Sequence, residues 1–491
     1  MLNKNDIFLP ECSRHKGNSI IPELDIWQIQ KEKEKKIYSK FHFVGIGGCG
    51  MGALAKIILE LGCDVRGSDI KSNSIAERLT LSGAKFFTGH NENNLSDADV
   101  VIYSGCIAPD NPELALARRK NIPILHRAEL LAELMNNKTG IAVTGAHGKT
   151  TTTTFIAFIL KQLNSDPTVV IGGEVCNLGN GAVAGKGEFV IAEADESDGS
   201  FLFLKPVYAV ITNVDLEHLD YYKNIEEIQN AYAQFMNKIK PGGKLFYGGG
   251  NEHLENILCF YEGEKMSFGV SENNDVHAVD ICFGKFCSEF DVVFKKRNLG
   301  RVKINAGGEH NVVNCLGALA LTLDLGFDFE EIKKALELFK LPDRRCHVKS
   351  DFNNITVIDD YAHHPAEIKA FLKGIKSAAP KRIITIFQPH RYSRTKHLKE
   401  FFIESFDDAD YLILTDIYSA GEAPIEGVTS RALTEEIRER KKDACFLLKE
   451  EIIGHLLNMA EEGDFILFLG AGDVCKLSDE LSKHLKIRFK I

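Results

Sequence analysis

A short stretch with two glycines and one lysine, TGAHGKT at residues 144–150, could bind a phosphate. Gly145 and Gly148 permit backbone angles that a Cβ atom disfavours, so that successive N–H groups can point at one anion. The Lys149 ammonium suits a β- or γ-phosphate, and the Thr150 hydroxyl suits Mg²⁺. The first glycine of a complete Walker A motif is absent. The spacing therefore predicts a nucleotide site, with a plain glycine turn and a surface lysine as the alternative.

Four more threonines follow Thr150, at positions 151–154, although threonine is a mediocre helix former. We expect only the Thr150 hydroxyl to have a ligand role. The other four are expected to satisfy free N–H groups in the first helical turn or to pack locally.

Two acidic clusters could supply the metal ligands that a nucleotide site needs. They read EADESD at residues 193–198 and DLEHLD at residues 215–220, and each follows an apolar run typical of a buried strand. Because ligands bind at strand ends on one edge of a parallel sheet, the clusters are expected beside the phosphate loop. Glu193 and His218 are the candidate metal ligands, while most of the other acids are expected to be solvated or to cap helices.

A second glycine turn, GIGGCG at residues 45–50, follows a short apolar run and has the GxGxxG spacing. Asp69 lies near the position expected of an acid that binds a ribose. Alone, this pattern predicts an NAD(P) site. It equally permits another nucleotide diphosphate on the helix N-terminus, or a tight turn without a ligand.

Two polar segments nearer the C-terminus, DDYAHHP at residues 359–365 and QPHRYSRT at residues 388–395, each end a predicted strand. Arg391 and Arg394 are expected on one helical face, where two guanidinium groups could bind a carboxylate or a phosphate. Their alternative is an exposed pair engaged in salt bridges. The two histidines of the first segment could equally be core or helix-capping residues.

The elements that must position these residues alternate between short apolar runs and helical patterns, which indicates parallel α/β sheets. A length of 491 residues suggests about three domains. We predict an N-terminal extension over residues 1–38, with a short solvated helix. Three α/β domains are predicted at residues 39–137, 138–341 and 342–491.

The composition is that of a globular protein without nucleic-acid or membrane partners. A net charge of −10 argues against general binding to nucleic acid or to an anionic membrane. No segment approaches the roughly 20 apolar residues that span a bilayer, and the N-terminus lacks an apolar signal core. The twelve cysteines do not show the spacing typical of a disulfide framework or a zinc site, which fits reduced thiols. A cytoplasmic protein without membrane insertion is therefore expected.

Taken together, the motifs resemble the Mur ligase family. The matching segments are GIGGCGM (45–51), RGSD (66–69), TGAHGKT (144–150), EADESDGSF (193–201), TNVDLEHLDYY (212–222), GEHNVVN (308–314), DDYAHHP (359–365) and QPHRYSRT (388–395). The resemblance implies an α/β protein of three domains, with a Rossmann-like UDP-binding domain first. A central P-loop-type ATPase domain with a parallel sheet and a Rossmann-like C-terminal domain would follow. ATP and Mg²⁺ are implied as cofactors.

The resemblance also implies a reaction, the ligation of L-alanine to the lactyl carboxylate of UDP-N-acetylmuramate. The carboxylate would attack the γ-phosphate of ATP, and the amine of L-alanine would attack the resulting acyl phosphate. The products would be an amide, ADP and phosphate. This would be the first amino-acid addition to the stem peptide of peptidoglycan, carried out by a monomer or a homodimer.

Roles for individual residues are implied in the same way. The catalytic residues would be Lys149, Glu193, His218, His363 and Arg391. ATP would be bound by Gly145, Ala146, His147, Gly148, Lys149, Thr150, Thr151, His310, Asn311, Asn314, Arg344 and Asp359. The UDP substrate would be bound by Gly47, Gly48, Cys49, Gly50, Met51, Asp69 and Ser104, and the amino acid by Tyr361, His363, His390, Arg391 and Arg394. Thr150 would hold a first Mg²⁺, and Glu193 and His218 would hold a second near the acyl phosphate.

The sequence departs from the family pattern at two places, and the first departure bears on the branch of the family. Sibling ligases that add later residues carry a carbamylated lysine after the second acidic cluster, whereas AYAQFMN offers no lysine until Lys238. In lacking that lysine, this sequence resembles the alanine-adding branch. Ala362 stands in DDYAHHP where glycine is expected, which we interpret as neutral.

Three alternatives stay open. A muropeptide-recycling ligase would join a tripeptide to UDP-N-acetylmuramate, but QPHRYSRT favours the alanine-adding branch. An NAD(P)-dependent oxidoreductase built on Gly45–Gly50 would leave the phosphate loop and both acidic clusters unexplained. A P-loop switch or binding module would leave the C-terminal arginines and histidines without a role.

Overall fold

The computed structural model describes residues 38–136, 138–172, 181–219, 221–440 and 443–489. Residues 1–37 of the predicted N-terminal extension, with its predicted helix, and Asp220 of the second acidic cluster lie outside these ranges. The described chain divides into two compact units. Unit 1 comprises the residues up to Phe268 together with Gly317–Gly326, and unit 2 comprises Gly269–Leu316 together with the residues from Phe327 onward.

The first part of unit 1 is a parallel sheet with helices between its strands. The strands are β1 (Lys40–Val44), β2 (Asp64–Asp69), β3 (Lys85–Thr88), β4 (Val100–Tyr103) and β5 (Ile124–His126). The helices are α1 (Cys49–Glu60), α2 (Ser74–Leu81), α3 (Pro112–Arg119) and α4 (Arg127–Asn136). The strand order is β3-β2-β1-β4-β5, with all neighbours parallel. The order reverses between β1 and β4, which is where such sheets bind ligands.

Local sequence explains where these helices begin. Asn73 caps α2 by accepting the N–H groups of Ile75 and Ala76, and Asn111 caps α3 in the same way, with Pro112 at the first helical position. In contrast, α1 has Gly48 at its N-cap and no side-chain cap. Its first N–H groups are therefore available to another partner.

The second part of unit 1 contains the phosphate loop. Its strands are β6 (Thr139–Thr144), β7 (Thr168–Val170), β8 (Ala182–Val183), β9 (Phe189–Glu193), β10 (Tyr208–Ile211), β11 (Lys244–Gly248) and β12 (Glu264–Gly269). Its helices are α5 (Lys149–Gln162), α6 (Ile225–Met236) and α7 (Glu252–Glu255). The strands lie in the order β12-β11-β10-β6-β9-β7-β8, and only β7 and β8 pair antiparallel. Because β6 lies between β9 and β10, the phosphate loop and both acidic clusters meet at one sheet edge.

The two parts of unit 1 share one hydrophobic core. Its buried residues include Leu54 of α1 and Leu134 of α4 from the first part, and Val190 of β9 from the second. A shared, close-packed core keeps the glycine turn of the first part at a defined distance from the acidic clusters of the second.

Unit 2 combines an antiparallel group of strands with a six-stranded sheet. The antiparallel strands are β13 (Val276–Phe283), β14 (Ser288–Phe294) and β15 (Arg297–Ile304). Helices α8 (Glu309–Asp324), whose last turns are grouped with unit 1, and α9 (Phe329–Glu337) follow.

The six-stranded sheet of unit 2 is again mainly parallel. Its strands are β16 (His347–Phe352), β17 (Ile355–Asp360), β18 (Arg382–Phe387), β19 (Tyr411–Leu414), β20 (Ala444–Phe446) and β21 (Asp464–Leu469). Its helices are α10 (Pro365–Lys376), α11 (Tyr392–His397), α12 (Lys399–Ile403), α13 (Ser430–Glu439), α14 (Lys449–Met459) and α15 (Cys475–Arg488). The order is β16-β17-β21-β18-β19-β20, with only β16 antiparallel.

The structure confirms the predicted α/β class. The two strands predicted to end at DDYAHHP and QPHRYSRT are β17 and β18. The antiparallel strands β13–β15 were not predicted, because their apolar residues alternate with exposed charged ones and form no continuous run. Within the described ranges, no helix is both long and apolar enough to cross a membrane. The positions of the domain boundaries stay predictions.

Candidate active site

The phosphate loop connects the end of β6 to the start of α5. Gly145 has φ +137° and Gly148 has φ +83°, which are angles that glycine adopts without strain. A Cβ atom on Gly145 would lie 2.0 Å from Oγ1 of Thr212, so glycine is required where the loop passes the end of β10. No side chain caps α5, and its first amide groups are therefore available to an anion.

Two residues that follow β10 hold the phosphate loop in shape. The Thr212 hydroxyl and Nδ2 of Asn213 both donate to the carbonyl of His147, at 2.6 and 2.9 Å. Oδ1 of Asn213 accepts the N–H of His147 at 2.9 Å. Neither Thr212 nor Asn213 is among the predicted site residues, because local patterns do not show that a residue 65 positions away braces the loop.

Lys149 is folded back onto its own loop and onto an acid. Its Nζ donates to the carbonyls of Gly145 and Ala146, at 2.7 and 3.2 Å, and to Oε1 of Glu196 at 2.7 Å. The Glu196 side chain is almost wholly buried. Burial alone would lower the pKa of Lys149, but the surrounding carboxylates, Glu196 foremost, outweigh burial and raise the pKa above its usual value.

The Thr150 hydroxyl contacts the carboxylate of Glu193. Oγ1 of Thr150 lies 3.0 and 3.1 Å from the two carboxylate oxygens, and the N–H of Gly172 donates to Oε2 at 3.3 Å. Burial raises the pKa of Glu193, although the Lys149 charge and the Thr150 hydrogen bond oppose that shift. Two of the three predicted metal ligands therefore lie side by side.

His218, the third predicted ligand, lies with two other acids. Its Nε2 is 3.4 Å from Oε1 of Glu196 and 3.7 Å from Oε2 of Glu217, and one ligand atom from each residue lies within 4.8 Å of the others. Burial alone would lower the pKa of His218, but the hydrogen bond to Glu196 and the Glu217 charge raise it. Both acids belong to the predicted clusters, but no local signal distinguished them from their neighbours.

One oxygen of this cluster lacks a partner. Oε2 of Glu196 is buried and has no hydrogen-bond partner among the described residues. A buried carboxylate oxygen without a partner costs stability, so its presence favours a ligand such as a cation or water at this point.

The other threonines of α5 satisfy carbonyls rather than N–H groups. The hydroxyls of Thr153 and Thr154 donate to the carbonyls of Lys149 and Thr150, one turn earlier, at 2.7 and 2.6 Å. Residues 151–154 are at most 5% exposed. The expected local packing is therefore confirmed, whereas the expected role at free N–H groups is wrong for these two hydroxyls.

The N-terminal glycine turn is braced by the acid that the NAD(P) pattern assigns to a ribose. Oδ2 of Asp69 accepts the N–H of Gly47 at 2.9 Å, and Oδ1 accepts the N–H of Ile70 at 2.8 Å. Asn73 donates to the carbonyl of Gly47 at 2.9 Å. Ser104, which follows β4, lies beside the same turn, since a Cβ on Gly45 would be 3.9 Å from its Cβ. The remaining predicted members, Gly48, Cys49, Gly50 and Met51, form the N-cap and first turn of α1.

In unit 2, the predicted amino-acid-binding residues come together after β17 and β18. The ring centroids of Tyr361 and His363 are 5.3 Å apart, and those of His363 and His390 are 5.7 Å apart. The Arg344 guanidinium lies over the Tyr361 ring at 4.9 Å, and its Nε donates to Oδ2 of Asp359 at 3.4 Å. Residues predicted for ATP and for the amino acid therefore share one cluster.

His390 is held neutral in this cluster. Arg394 donates to its Nδ1 at 3.1 Å, and the Tyr418 ring stacks on it with centroids 5.5 Å apart. Burial lowers the pKa of His390 to about 3, and the charges of His363 and nearby arginines add to the shift. Because Nδ1 accepts a hydrogen bond, the ring hydrogen lies on Nε2.

The expectation that Arg391 and Arg394 share a helical face is wrong. Arg391 precedes α11 and has φ +69°, and its N–H donates to the carbonyl of Tyr418 at 2.8 Å. The N–H and hydroxyl of Ser393 donate to the Glu422 carboxylate at 3.0 and 2.6 Å. These contacts come from a segment after β19, which the spacing of the arginines could not indicate.

Two further sets of predicted residues lie at the N-terminal ends of helices. His364 caps α10, forming a capping box with Glu367, which confirms the capping alternative for that histidine. Three residues predicted to bind ATP, His310, Asn311 and Asn314, lie in the first turns of α8. Burial, with a contribution from the Arg345 charge, lowers the pKa of His310 to about 4.

Comparison with known proteins identifies the family. Three models match consecutive stretches, namely the Mur ligase family catalytic domain (40–139), the Mur ligase middle domain (143–322) and the Mur ligase glutamate ligase domain (344–472). A UDP-N-acetylmuramate–L-alanine ligase of Geotalea daltonii is 44% identical over 449 residues, which is 91% of this chain and 98% of that protein. The chain belongs to the Mur ligase family.

Other Mur ligases give the same picture. A UDP-N-acetylmuramate–L-alanine ligase of Aquifex aeolicus is 45% identical over 450 residues, 91% of this chain and 98% of that protein. The crystal structure of a UDP-N-acetylmuramate–alanine ligase from Thermotoga maritima matches with a TM-score of 0.78 and 30% identity, covering 91% of this chain and 99% of that chain. These matches confirm the predicted family and its three-domain α/β architecture.

Proposed function

We propose that this Mur ligase joins L-alanine to the lactyl carboxylate of UDP-N-acetylmuramate, with conversion of ATP to ADP and phosphate. The observation that carries the proposal is the arrangement of Lys149, Thr150 and the acidic clusters at one sheet edge of unit 1. The relatives of 44–45% identity support this reaction over the recycling ligase and the oxidoreductase.

The phosphate loop is proposed to bind the β- and γ-phosphates of ATP. The uncapped N-terminus of α5 supplies amide donors and a positive dipole end. Lys149 supplies a full charge, and its flexible side chain can exchange Glu196 for a phosphate oxygen. These groups stabilise the negative charge of the transferring phosphoryl group, and such electrostatic stabilisation is the main source of catalysis in phosphoryl transfer.

The donor set of the loop and the acids fits Mg²⁺. Carboxylate and hydroxyl oxygens are the ligands that this ion prefers, and the buried oxygen of Glu196 without a partner favours a cation nearby. We propose that Thr150 holds a first Mg²⁺ and that Glu193 and His218 hold a second. When bound, Mg²⁺ supplies positive charge that stabilises the transferring phosphoryl group.

In unit 2, we propose that the arginine and histidine cluster binds L-alanine. Arg391 offers a guanidinium suited to the alanine carboxylate. His390 presents a hydrogen on Nε2, since Arg394 takes up the lone pair of Nδ1. His390 therefore serves as a hydrogen-bond donor that orients the amino acid and not as a base. His363 and Tyr361 are proposed to complete the site.

The remaining assignments also follow the family resemblance. His310, Asn311 and Asn314 are proposed to lie near the adenine, and Arg344 and Asp359 near the phosphates or ribose. The glycine turn with Asp69 and Ser104 is proposed to bind UDP. We propose a cytoplasmic enzyme that acts as a monomer or a homodimer.

The proposal is tested by ADP release from the purified full chain. We expect release that depends on both UDP-N-acetylmuramate and L-alanine, with Mg²⁺ present. Release that requires the tripeptide instead of L-alanine would support the recycling ligase. Absorbance change on NADH addition, without ADP release, would support the oxidoreductase.

A further inference from the structure

A groove crosses the surface of unit 1 where α1 and α2 face β8. Its volume is about 300 Å³, near the lower limit of pockets that bind ligands. Its walls are mainly apolar and include Ala53 of α1, Ile75 and Leu79 of α2, and Ala182 of β8. A groove of this size accepts a few side chains and not the face of another domain.

One apolar residue of the groove is open to solvent. Leu81, the last residue of α2, lines the groove and is 89% exposed. A single exposed leucine needs no explanation by itself, but Leu81 continues the apolar wall to which the buried Leu79 belongs. Covering that wall would remove apolar surface from water and would therefore be favourable.

The charged residues that line the groove are cations. Lys56 on α1 donates from Nζ to the carbonyl of Ala182 at 2.6 Å, and Arg78 lines the groove from α2. Among the residues that the structure describes, no acid lines it. The groove therefore favours an occupant that combines apolar side chains with carboxylates.

The exposed end of the groove lies at the sheet edge where the described chain begins. Tyr38 is buried there and packs against Phe41, with ring centroids 6.4 Å apart. Strands β1, β2 and β3 are parallel, so the helices that connect them end at the edge where the strands start. Residues 1–37 are therefore joined to unit 1 on the side of Leu81, opposite the N-terminal glycine turn.

The sequence before Tyr38 contains a segment of matching composition. Residues 20–29 read IIPELDIWQI, with six large apolar side chains and two acids, Glu23 and Asp25. Residues 30–37 separate this segment from Tyr38 and can span about 26 Å when extended. Helix α1, with its 12 residues, is only about 18 Å long, so the segment can reach the groove.

We propose that residues 20–29 dock in the groove between α1, α2 and β8, with Trp27 against Leu81 and the two acids toward Lys56 and Arg78. A tryptophan buries about 150–250 Å² of surface, so Trp27 would contribute most of the apolar contact. The docked segment contacts both parts of unit 1, since β8 belongs to the second part. This surface lies outside the proposed active site, and the proposal does not depend on the proposed function.

The fluorescence of Trp27 tests the proposal, because Trp27 is the only tryptophan in the chain. We would measure its emission maximum and its quenching by acrylamide in the full chain, with the urea-unfolded chain as the reference for an exposed indole. The variants are Leu81→Glu in the groove and Leu24→Asp in the segment, and the latter leaves the described part of the chain unchanged. The matched control is Leu338→Glu, because Leu338 is a leucine at the end of α9 that is also exposed.

We expect Trp27 of the wild type to emit at a shorter wavelength, and to be quenched less, than in the unfolded chain. Leu81→Glu and Leu24→Asp should each shift both values toward those of the unfolded chain, because burying a carboxylate in an apolar groove is costly. Leu338→Glu should leave both values unchanged.

Charge reversal tests which groups face each other. Arg78→Glu should expose Trp27, since the acids of the segment would then face a like charge. Adding Glu23→Lys and Asp25→Lys to that variant should restore the burial of Trp27. No restoration would show that these acids do not face Arg78 and would overturn the proposed orientation.

Three outcomes would overturn the docking itself. Wild-type Trp27 with the emission and quenching of the unfolded chain would show that the segment does not dock. Burial of Trp27 that persists in folded Leu81→Glu protein, with folding checked by circular dichroism, would mean that another surface covers it. Emission that moves to a longer wavelength on dilution of the wild type would place the segment on a second copy of the chain instead.

Discussion

Nζ of Lys149 and Oε1 of Glu196 lie 2.7 Å apart in an ion pair in which Glu196 is almost wholly buried and Lys149 is mostly buried. The two residues follow β6 and β9, which are adjacent strands. A phosphate bound in the loop would compete with Glu196 for the same ammonium group. Glu196 is therefore the counter-ion of Lys149, and we propose that it also lies beside the reacting phosphate.

Replacing the lysine should separate catalysis from substrate binding. We expect Lys149→Ala to abolish ATP turnover, because the transferring phosphoryl group would lose the positive side chain that the proposed function assigns to it. Binding of UDP-N-acetylmuramate should be largely intact, since the glycine turn belongs to another part of unit 1. ADP release and calorimetric binding measure the two effects. Lys161→Ala, an exposed change on the same helix, is the control, and surviving turnover in Lys149→Ala would contradict the loop assignment.

Replacing the acid tests the ion pair itself. Glu196→Gln leaves a buried ammonium without its counter-ion, and we expect a loss of about 1–3 kcal/mol in the free energy of unfolding. A bound, non-hydrolysable ATP analogue should reduce that loss, because its phosphates replace the missing negative charge. Thermal unfolding with and without the analogue measures both. An equal loss in both conditions would show that the nucleotide does not reach Lys149.

The phosphate loop should not tolerate a side chain at its first glycine. A Cβ on Gly145 would meet Oγ1 of Thr212 at 2.0 Å, so we expect Gly145→Ala to lose most ATP binding. Gly62→Ala is the control for backbone strain, because Gly62 also has a positive φ but lies in open space. Thr212→Ala alone should weaken ATP binding, because it removes the hydrogen bond to the carbonyl of His147. Relative to that single variant, the double variant should lose less binding than Gly145→Ala loses relative to the wild type. An equal loss in the two backgrounds would point to backbone strain, and not to the contact with Thr212, as the cause.

In unit 2, the arginine before α11 should act on the amino acid. We expect Arg391→Ala to raise the KM for L-alanine by at least about tenfold, the loss of a charge-assisted contact, with a smaller effect on the KM for ATP. Arg440→Ala, an exposed residue of the same unit that pairs with Glu404, is the control. Equal changes in both KM values would indicate a structural role for Arg391.

The neutral state of His390 predicts a pH dependence of stability. Below its usual pKa of about 6.5, the unfolded chain takes up a proton that the folded chain refuses down to about pH 3. Stability should therefore rise with pH across this window, by at most about 1.4 kcal/mol per pH unit from this residue. Urea unfolding at about pH 4.5 and about pH 7.5 should show a smaller difference for His390→Gln than for the wild type. His397→Gln, an exposed change on α11, should leave the difference unaltered.

Much of the architecture was predictable because its causes are local. Apolar runs and helical spacing indicated most strands and helices of the parallel sheets. The strands β13–β15 were missed, since half-exposed antiparallel strands carry charged residues on one face. The prediction that Arg391 and Arg394 share a helical face was also wrong, because it assumed helical geometry at Arg391, one residue before α11 begins.

The candidate site shows a similar division. Glycine turns, strand ends and acidic clusters were visible in the sequence, and they led to the Mur ligase family. Within the clusters, however, nothing local distinguished Glu193, which contacts Thr150, from Glu196, which contacts Lys149. Choosing between them requires the direction of each side chain.

The amino-acid sequence alone therefore determined which functional groups are present: a phosphate loop, carboxylates expected beside it, a second glycine turn and paired arginines. Backbone preferences and the spacing of apolar residues depend on a few neighbouring residues, so they can be recognised without knowledge of the fold. Which groups meet depended on tertiary structure, because β6 lies between β9 and β10. That placement gives Lys149 its counter-ion and gives Gly145 its neighbour Thr212. Packing around the shared core likewise places Arg127 beside Gly50 and Asp195, which are far apart in sequence.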